Sequence, residues 1–363
     1  MPRTQTAATQ VVRLEAEPLD LPLLEPFTSA TGRVERARNV LVRVTLADGS
    51  VGLGEAAPSA EGGGETQETA LAAVRGIWPL LDGAEAAQWR TLACRLQTSF
   101  EHQAAARTAV EVALLDAFTR SVGIPLWRFF GGACTRITTA ISIPIAEPGH
   151  VRELAEQYGE RGAMTLKIKV GTTIGEDIER VLAAQEGAPD CDLILDGDQG
   201  YTPATAIQLI TTLAEDGVRP ILFEQPVHRH DLEGLRFVTE RAGVPVGADE
   251  AVRTAADALR IVRMGAANAI TVKLMKSGLV EALDIAAVCR AAHVQLVAGA
   301  MLESRLGTAV AAHLCAGLGG FQFVDLDAPL LLEGDPFAGG YVEDGMTYHV
   351  DGVAAGHGVT WRG

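Results

Sequence analysis

Leu166-Lys167-Ile168-Lys169, Leu193-Ile194-Leu195-Asp196, Ile221-Leu222-Phe223-Glu224, Val246-Gly247-Ala248-Asp249 and Ile270-Thr271-Val272-Lys273 are short, mostly apolar runs, each ending at a charged residue. Their last residues are 27, 28, 25 and 24 positions apart, and two further steps of 26 lead to Gly299 and Asp325. This spacing is the length of one strand, one loop and one helix. Repeated units of that kind predict a parallel (β/α) barrel, whose chemistry sits where the strands end.

A single carboxylate at a strand end is commonly a helix N-cap. Asp196, Glu224 and Asp249 follow apolar runs in three consecutive units, which argues for a shared site. Neighbouring strands lie about 4.8 Å apart, so the three can converge. An oxygen-only donor set without His or Cys suits Mg²⁺. Lys167 and Lys169 are two apart and share one face of their strand. Leu166, Ile168 and Val170 make that strand apolar, and a parallel barrel strand has no solvent-facing side. Two neighbouring cations should depress each other's pKa and prepare a neutral amine as a base. Lys273 stands four units from Lys169 in a ring of eight, hence across the barrel. Two bases on opposite faces of a substrate carbon suit removal of a proton on one side and its return from the other.

Composition sets the class of partner. The chain has 363 residues, a formal charge of −16 and 48% hydrophobic residues. That is enough apolar material for a large core and enough length for a barrel plus a second domain. The negative charge argues against nucleic acid and anionic membrane surfaces. The five scattered cysteines lack any CxxC or Cys/His spacing, which argues against disulfides and structural zinc. Met1–Gln10 has no apolar signal core, and no apolar run reaches membrane-spanning length. The expectation is a cytoplasmic enzyme with a small-molecule substrate. A homo-oligomer is compatible with this composition.

Residues 11–57 read as strands, with a turn at Ala47-Asp48-Gly49-Ser50. Residues 66–120 read as helices, with a narrow alanine-rich apolar face around Ala105, Ala109, Val112 and Ala113. Gly131-Gly132 breaks the pattern, and Thr138–Ile143 reads as the first barrel strand. The expected division is 1–130 as an α+β capping domain, 131–328 as the barrel, and 329–363 as a tail returning to the cap. Glu61-Gly62-Gly63-Gly64-Glu65 reads as a mobile lid loop.

Lys167-Ile168-Lys169-Val170-Gly171, Asp196 with Gln199-Gly200-Tyr201, Phe223-Glu224-Gln225-Pro226, Ala248-Asp249-Glu250 and Val272–Lys276 together resemble the enolase superfamily, in its muconate-lactonizing branch. The resemblance implies a (β/α)7β TIM-like barrel under an α+β cap. It also implies a lysine base with Mg²⁺ stabilising an enediolate. Asp325-Leu326-Asp327 at the end of the eighth strand is similar to the mark of dipeptide epimerases. By that resemblance Asp196, Glu224 and Asp249 bind Mg²⁺, Lys169 and Lys273 are the acid/base pair, and Lys167 stabilises the enediolate. Asp325 and Asp327 would bind the substrate's ammonium group, and two carboxylates on one strand face are suited to that. The implied reaction is Mg-dependent epimerisation of a dipeptide at its C-terminal residue.

The chain departs from the family pattern at Gly197-Asp198, where Ala-Asn is usual, and at Leu279, where a second glycine is common. The arginine that pairs a glutamate side chain in some members falls at Gly32, with Arg33 adjacent. Glu303, after the seventh strand, is expected either to line the pocket or to serve as a capping carboxylate. Competing readings are an N-acylamino-acid racemase, an o-succinylbenzoate synthase or a muconate cycloisomerase. A Schiff-base aldolase and a non-catalytic metal-stabilised binding barrel stand outside the superfamily. Asp-x-Asp disfavours the first three, whose substrates lack a free ammonium.

Overall fold

The computed structural model describes residues 8–59, 64–100 and 102–362. Strands β1 (Val11–Ser29), β2 (Gly32–Leu46) and β3 (Val51–Ala56) form an antiparallel meander. The helix Ala104–Ser121 lies across it. The sequence expectation of one narrow apolar face on this helix is corrected: residues from Ala105 to Ala117 are buried on every side. One side meets the meander. The other meets the barrel, where Thr108 Oγ1 donates to Leu274 O at 2.7 Å and Val280 N donates to Glu111 at 3.1 Å. A helix between two layers has no solvent face to be polar. The approach to the meander needs glycine: a Cβ on Gly54 would lie 2.0 Å from Ala109 O, and one on Gly52 2.1 Å from Ala113 O.

The expected first barrel strand is split in two. β4 (Arg136–Thr138) leaves the barrel and pairs with the strand Thr347–His349 of the C-terminal tail. β5 (Ile141–Ile143) enters it. The chain changes sheets at Thr139 and Ala140, whose amides bond to Met346 O and Val324 O. β6 (Thr165–Lys169), β7 (Asp192–Asp196), β8 (Leu222–Glu224), β9 (Val246–Ala248), β10 (Ala269–Val272), β11 (Gln295–Gly299) and β12 (Phe321–Asp325) follow in sequential parallel order. A helix follows every strand from β5 to β11, which makes the architecture (β/α)7β. The ring closes where Ala140 N donates to Val324 O at 2.7 Å and Leu326 N donates to Thr139 Oγ1 at 2.8 Å.

The tail ties the two parts together. Leu126 N donates to Gly356 O, Arg120 donates to Val359 O, and His357 stands 3.0 Å from the buried Asp116. Of the expected lid, Glu61–Gly63 lie outside the described residues. Glu65 accepts from Ala105 N and Ala106 N, satisfying orphan donors at the start of the helix Ala104–Ser121.

Candidate active site

Register brings the charged residues together. Lys169 pairs with Asp196 across β6 and β7, and Asp196 pairs with Glu224 across β7 and β8. Asp249 comes two residues after Gly247, the β9 partner of Glu224. All three carboxylates are at most 1% exposed. They are not helix caps: Thr173, Thr202, Asp231, Thr254 and Ser304 supply the capping oxygens for the helices that follow. The strand-end carboxylates are left for another task.

Ammonium groups lie between these carboxylates. Lys167 Nζ stands 2.9 Å from Asp196 Oδ2, 2.7 Å from Glu224 Oε2 and 2.8 Å from Asp325 Oδ2. Lys169 Nζ is 2.8 Å from Asp196 Oδ2 and 3.0 Å from Asp198. Lys273 Nζ is 2.6 Å from Asp249 Oδ2, while Lys276 binds Asp249 Oδ1. The expected lowering of the lysine pKa values is therefore corrected. Burial opposes the charge on Lys167, but Asp196, Asp325 and Glu224 hold it well above the ordinary value. Lys169 and Lys273 are likewise raised against burial, by Asp196 and Asp249 respectively. Burial works the other way on Glu224 and pushes its carboxyl up.

Among the described residues no three acidic, His or Cys side chains stand as a ready metal cage. The donor chemistry nevertheless fits a hard divalent cation. The three carboxylates come from adjacent strand ends and are buried, and Glu224 Oε2 receives no directed hydrogen bond despite its nearness to Lys167.

Asp325 and Asp327 meet at the barrel seam. Ser142 Oγ donates to Asp325 Oδ1 at 3.1 Å, and Ser142 N donates to Asp327 Oδ2 at 2.6 Å. Burial, then the charge of Asp325, pushes Asp327 up to about 7. Glu303 is 1% exposed and accepts from Met301 N, with its Oε2 unpartnered. Burial and Glu55 push it up to about 8. Arg33 is not gathered into the cluster; its side chain is 61% exposed and lies 3.5 Å from Glu35.

Sequence reasoning gave no role to four residues that the structure builds into the site's frame. Lys276 ties Asp249 to Thr271 O. Gln225 accepts from Asp249 N and Ala251 N. Thr271 Oγ1 donates to Glu224 Oε1 at 2.5 Å. Glu55, from the cap, accepts from Asn39, Ser304 and Gly307. Lys276 and Gln225 stood in quoted motifs, and only their motif membership could have flagged them.

Residues 12–131 match the N-terminal domain family of mandelate racemase and muconate lactonizing enzyme, and residues 150–363 match the enolase C-terminal domain-like family. The aromatic dipeptide epimerase of Herpetosiphon aurantiacus is 42% identical over 352 residues, covering 97% of this chain and 99% of that protein. The substrate-liganded L-Ala-D/L-Glu epimerase of Bacillus subtilis has a TM-score of 0.94 at 33% identity, over 97% of this chain and 99% of that one. The dipeptide epimerase of Enterococcus faecalis V583, complexed with Mg and L-Leu-L-Tyr, has a TM-score of 0.93 at 34% identity and the same coverage. The chain thus belongs to the mandelate racemase/muconate lactonizing group of the enolase superfamily, and it groups there with isomerases of the dipeptide epimerase type.

Proposed function

We propose that this protein epimerises a dipeptide at the α-carbon of its C-terminal residue, with Lys169 and Lys273 as the two acid/base groups. The observation that carries this reading is the placement of the two amines. They sit on the second strand and just after the sixth strand of an eight-stranded ring, each within 3 Å of a strand-end carboxylate. An amine on each face lets one take the α-proton while the other returns one, which inverts the centre.

Asp196, Glu224 and Asp249 would hold Mg²⁺. When bound, Mg²⁺ would supply positive charge at the substrate carboxylate and so make the neighbouring C–H bond more acidic. Lys167 adds a fixed positive charge beside the same carboxylates. Asp325 and Asp327 would take the substrate's free ammonium, through Asp327 Oδ1 and through Asp325 Oδ2, which it would share with Lys167. Residues 1–130 and 329–363 would act as the cap and 131–328 as the catalytic barrel. Glu303 would line the pocket on the side of Lys273. Arg33, paired with Glu35, offers little to an acidic side chain, so the C-terminal residue accepted is hydrophobic or broad in kind. All five cysteines are free, which suits the reducing cytoplasm. Among the described residues no helix is long and apolar enough to cross a membrane.

The test is a dipeptide library incubated with the enzyme and Mg²⁺ in D₂O, read by mass spectrometry. One deuterium should enter at the C-terminal α-carbon of the accepted dipeptides. No incorporation into any dipeptide by metal-loaded enzyme would overturn the proposal.

A further inference from the structure

We infer that Asp198 is a positioning residue dedicated to Lys169, so that the two acid/base lysines are supported unequally. The inference rests on the two-lysine reading above.

Lys169 Nζ has two carboxylates in reach: Asp196 Oδ2 at 2.8 Å and Asp198 at 3.0 Å. Asp196 is one of the three residues assigned to Mg²⁺, so it cannot serve Lys169 alone. Asp198 has no such duty. Among the described residues Lys273 has one carboxylate within ion-pair distance, Asp249, which is itself an assigned ligand. The structure thus gives Lys169 a second carboxylate in ion-pair contact, one not assigned to the metal, and among the described residues gives Lys273 none at that distance.

The backbone is built to put Asp198 there. Asp198 and Gln199 have φ of 41° and 69°, two consecutive side-chain-bearing residues in the left-handed region. That conformation is costly unless its surroundings enforce it. They do. Gly197 N donates to Glu224 O at 2.9 Å, Gln199 N to Gln225 O at 2.8 Å, and Arg229 N to Gln199 Oε1 at 3.0 Å. A Cβ on Gly197 would lie 2.9 Å from Pro226 Cα, so the loop after β7 is pressed against the loop after β8. Asp198 N also donates to Asp196 Oδ1 at 3.2 Å. The pinned turn leaves Asp198 91% buried, with its carboxylate on the Lys169 amine. Asparagine would keep the shape and the turn preference but lose the ion pair.

The experiment isolates each lysine. Lys273→Ala leaves Lys169 to exchange the α-proton of one epimer, and Lys169→Ala leaves Lys273 to exchange that of the other. Exchange of L-Ala-L-Phe and L-Ala-D-Phe in D₂O with saturating Mg²⁺ is followed by NMR for both variants, with and without Asp198→Asn. Asp198→Asn should lower exchange by Lys169 about tenfold or more and change exchange by Lys273 less than about twofold. Calorimetric Mg²⁺ affinity should stay within about threefold of the parent. Equal losses in both backgrounds would overturn the inference, as would a large fall in Mg²⁺ affinity, which would place Asp198 in the metal site. If neither parental variant exchanges either epimer while the unsubstituted enzyme epimerises both, the two-lysine assignment fails and this inference with it. If the unsubstituted enzyme is itself inert toward the wider dipeptide library, the failure lies with the proposed function.

Discussion

Lys169 and Asp196 are direct register partners on adjacent parallel strands, and their charged ends lie 2.8 Å apart. Lys273 and Asp249 form a similar pair at 2.6 Å farther round the ring. Lys169 is therefore aimed in part by the last residue of a strand, and Lys273 by a carboxylate one residue beyond its strand. Lys169→Ala and Lys273→Ala should each lower epimerisation by at least about a thousandfold, since inversion needs a group on both faces. Each variant should still exchange the α-proton of one epimer in D₂O. Near-normal epimerisation by either variant would remove the two-base assignment.

The metal prediction follows from the same carboxylates. Treatment with EDTA should abolish activity, and added Mg²⁺ should restore it. Asp196→Asn and Glu224→Gln should each weaken Mg²⁺ binding about tenfold or more by calorimetry, because each removes an ionised oxygen donor. Full activity of stripped enzyme in chelator is the result that would count against this role.

The helix Ala104–Ser121 and the meander meet backbone to backbone at Gly54. An added methyl would lie 2.0 Å from Ala109 O, and neither the strand nor the helix can yield without disturbing a layer. Gly54→Ala should cost about 2 to 3 kcal/mol in urea unfolding, the upper part of the range for overpacking. Gly76→Ala, where a Cβ meets nothing within 4 Å, is the control and should leave stability nearly unchanged.

Glu111 gives a pH signature of the same buried layer. Burial pushes it up to about 7, against the pull of Arg107. A carboxyl with a raised folded value binds its proton more tightly when folded. Its contribution is complete below the unfolded value near 4.5 and is lost as pH rises to about 7. The unsubstituted protein should lose up to about 3 kcal/mol across that window relative to Glu111→Gln, which carries no titrating group there. Urea midpoints for both proteins at pH 5 and pH 8 test this; a constant or reversed difference would contradict it.

Much of the ring was legible because each key residue ends an apolar strand, and the strands recur at one period. Asp196, Glu224 and Lys169 needed only that rule and the register it implies. Lys276 and Thr271 escaped it, because their roles depend on which carboxylate they face, and Gln225 because its partners are the backbone amides of Asp249 and Ala251. The split at Thr139-Ala140 escaped for a related reason. A continuous β-rich run does not say that its two halves join different sheets. The helix Ala104–Ser121 was misjudged because the apolar-face rule assumes solvent on the other side, and here the barrel stands there instead.

The last prediction concerns the Asp325–Asp327 pair, where substrate recognition and pH meet. Ser142 takes one oxygen of each, Lys167 Nζ stands 2.8 Å from the other oxygen of Asp325, and Asp327 Oδ1 is the oxygen that neither of them takes. A charge held by two buried carboxylates is worth several kcal/mol, and a substrate without it leaves them unpaired. Dipeptides should therefore have a kcat/KM at least about tenfold above their N-succinyl amino acid counterparts with the same C-terminal residue. The pH dependence follows from the two partners. Burial, then the charge of Asp325, raises Asp327 to about 7, so below that pH it is protonated in the free enzyme and cannot pair with a cation. The substrate's amino group loses its proton above about 8. For dipeptides kcat/KM should fall about tenfold per pH unit below 7 and again above 8. Asp327→Asn should remove the acid limb while lowering the maximum. An N-succinyl amino acid, which carries no ammonium, should show neither limb from this pair. If the N-succinyl compound is the better substrate by tenfold, or both substrates share the same acid limb, ammonium recognition by Asp325 and Asp327 is wrong.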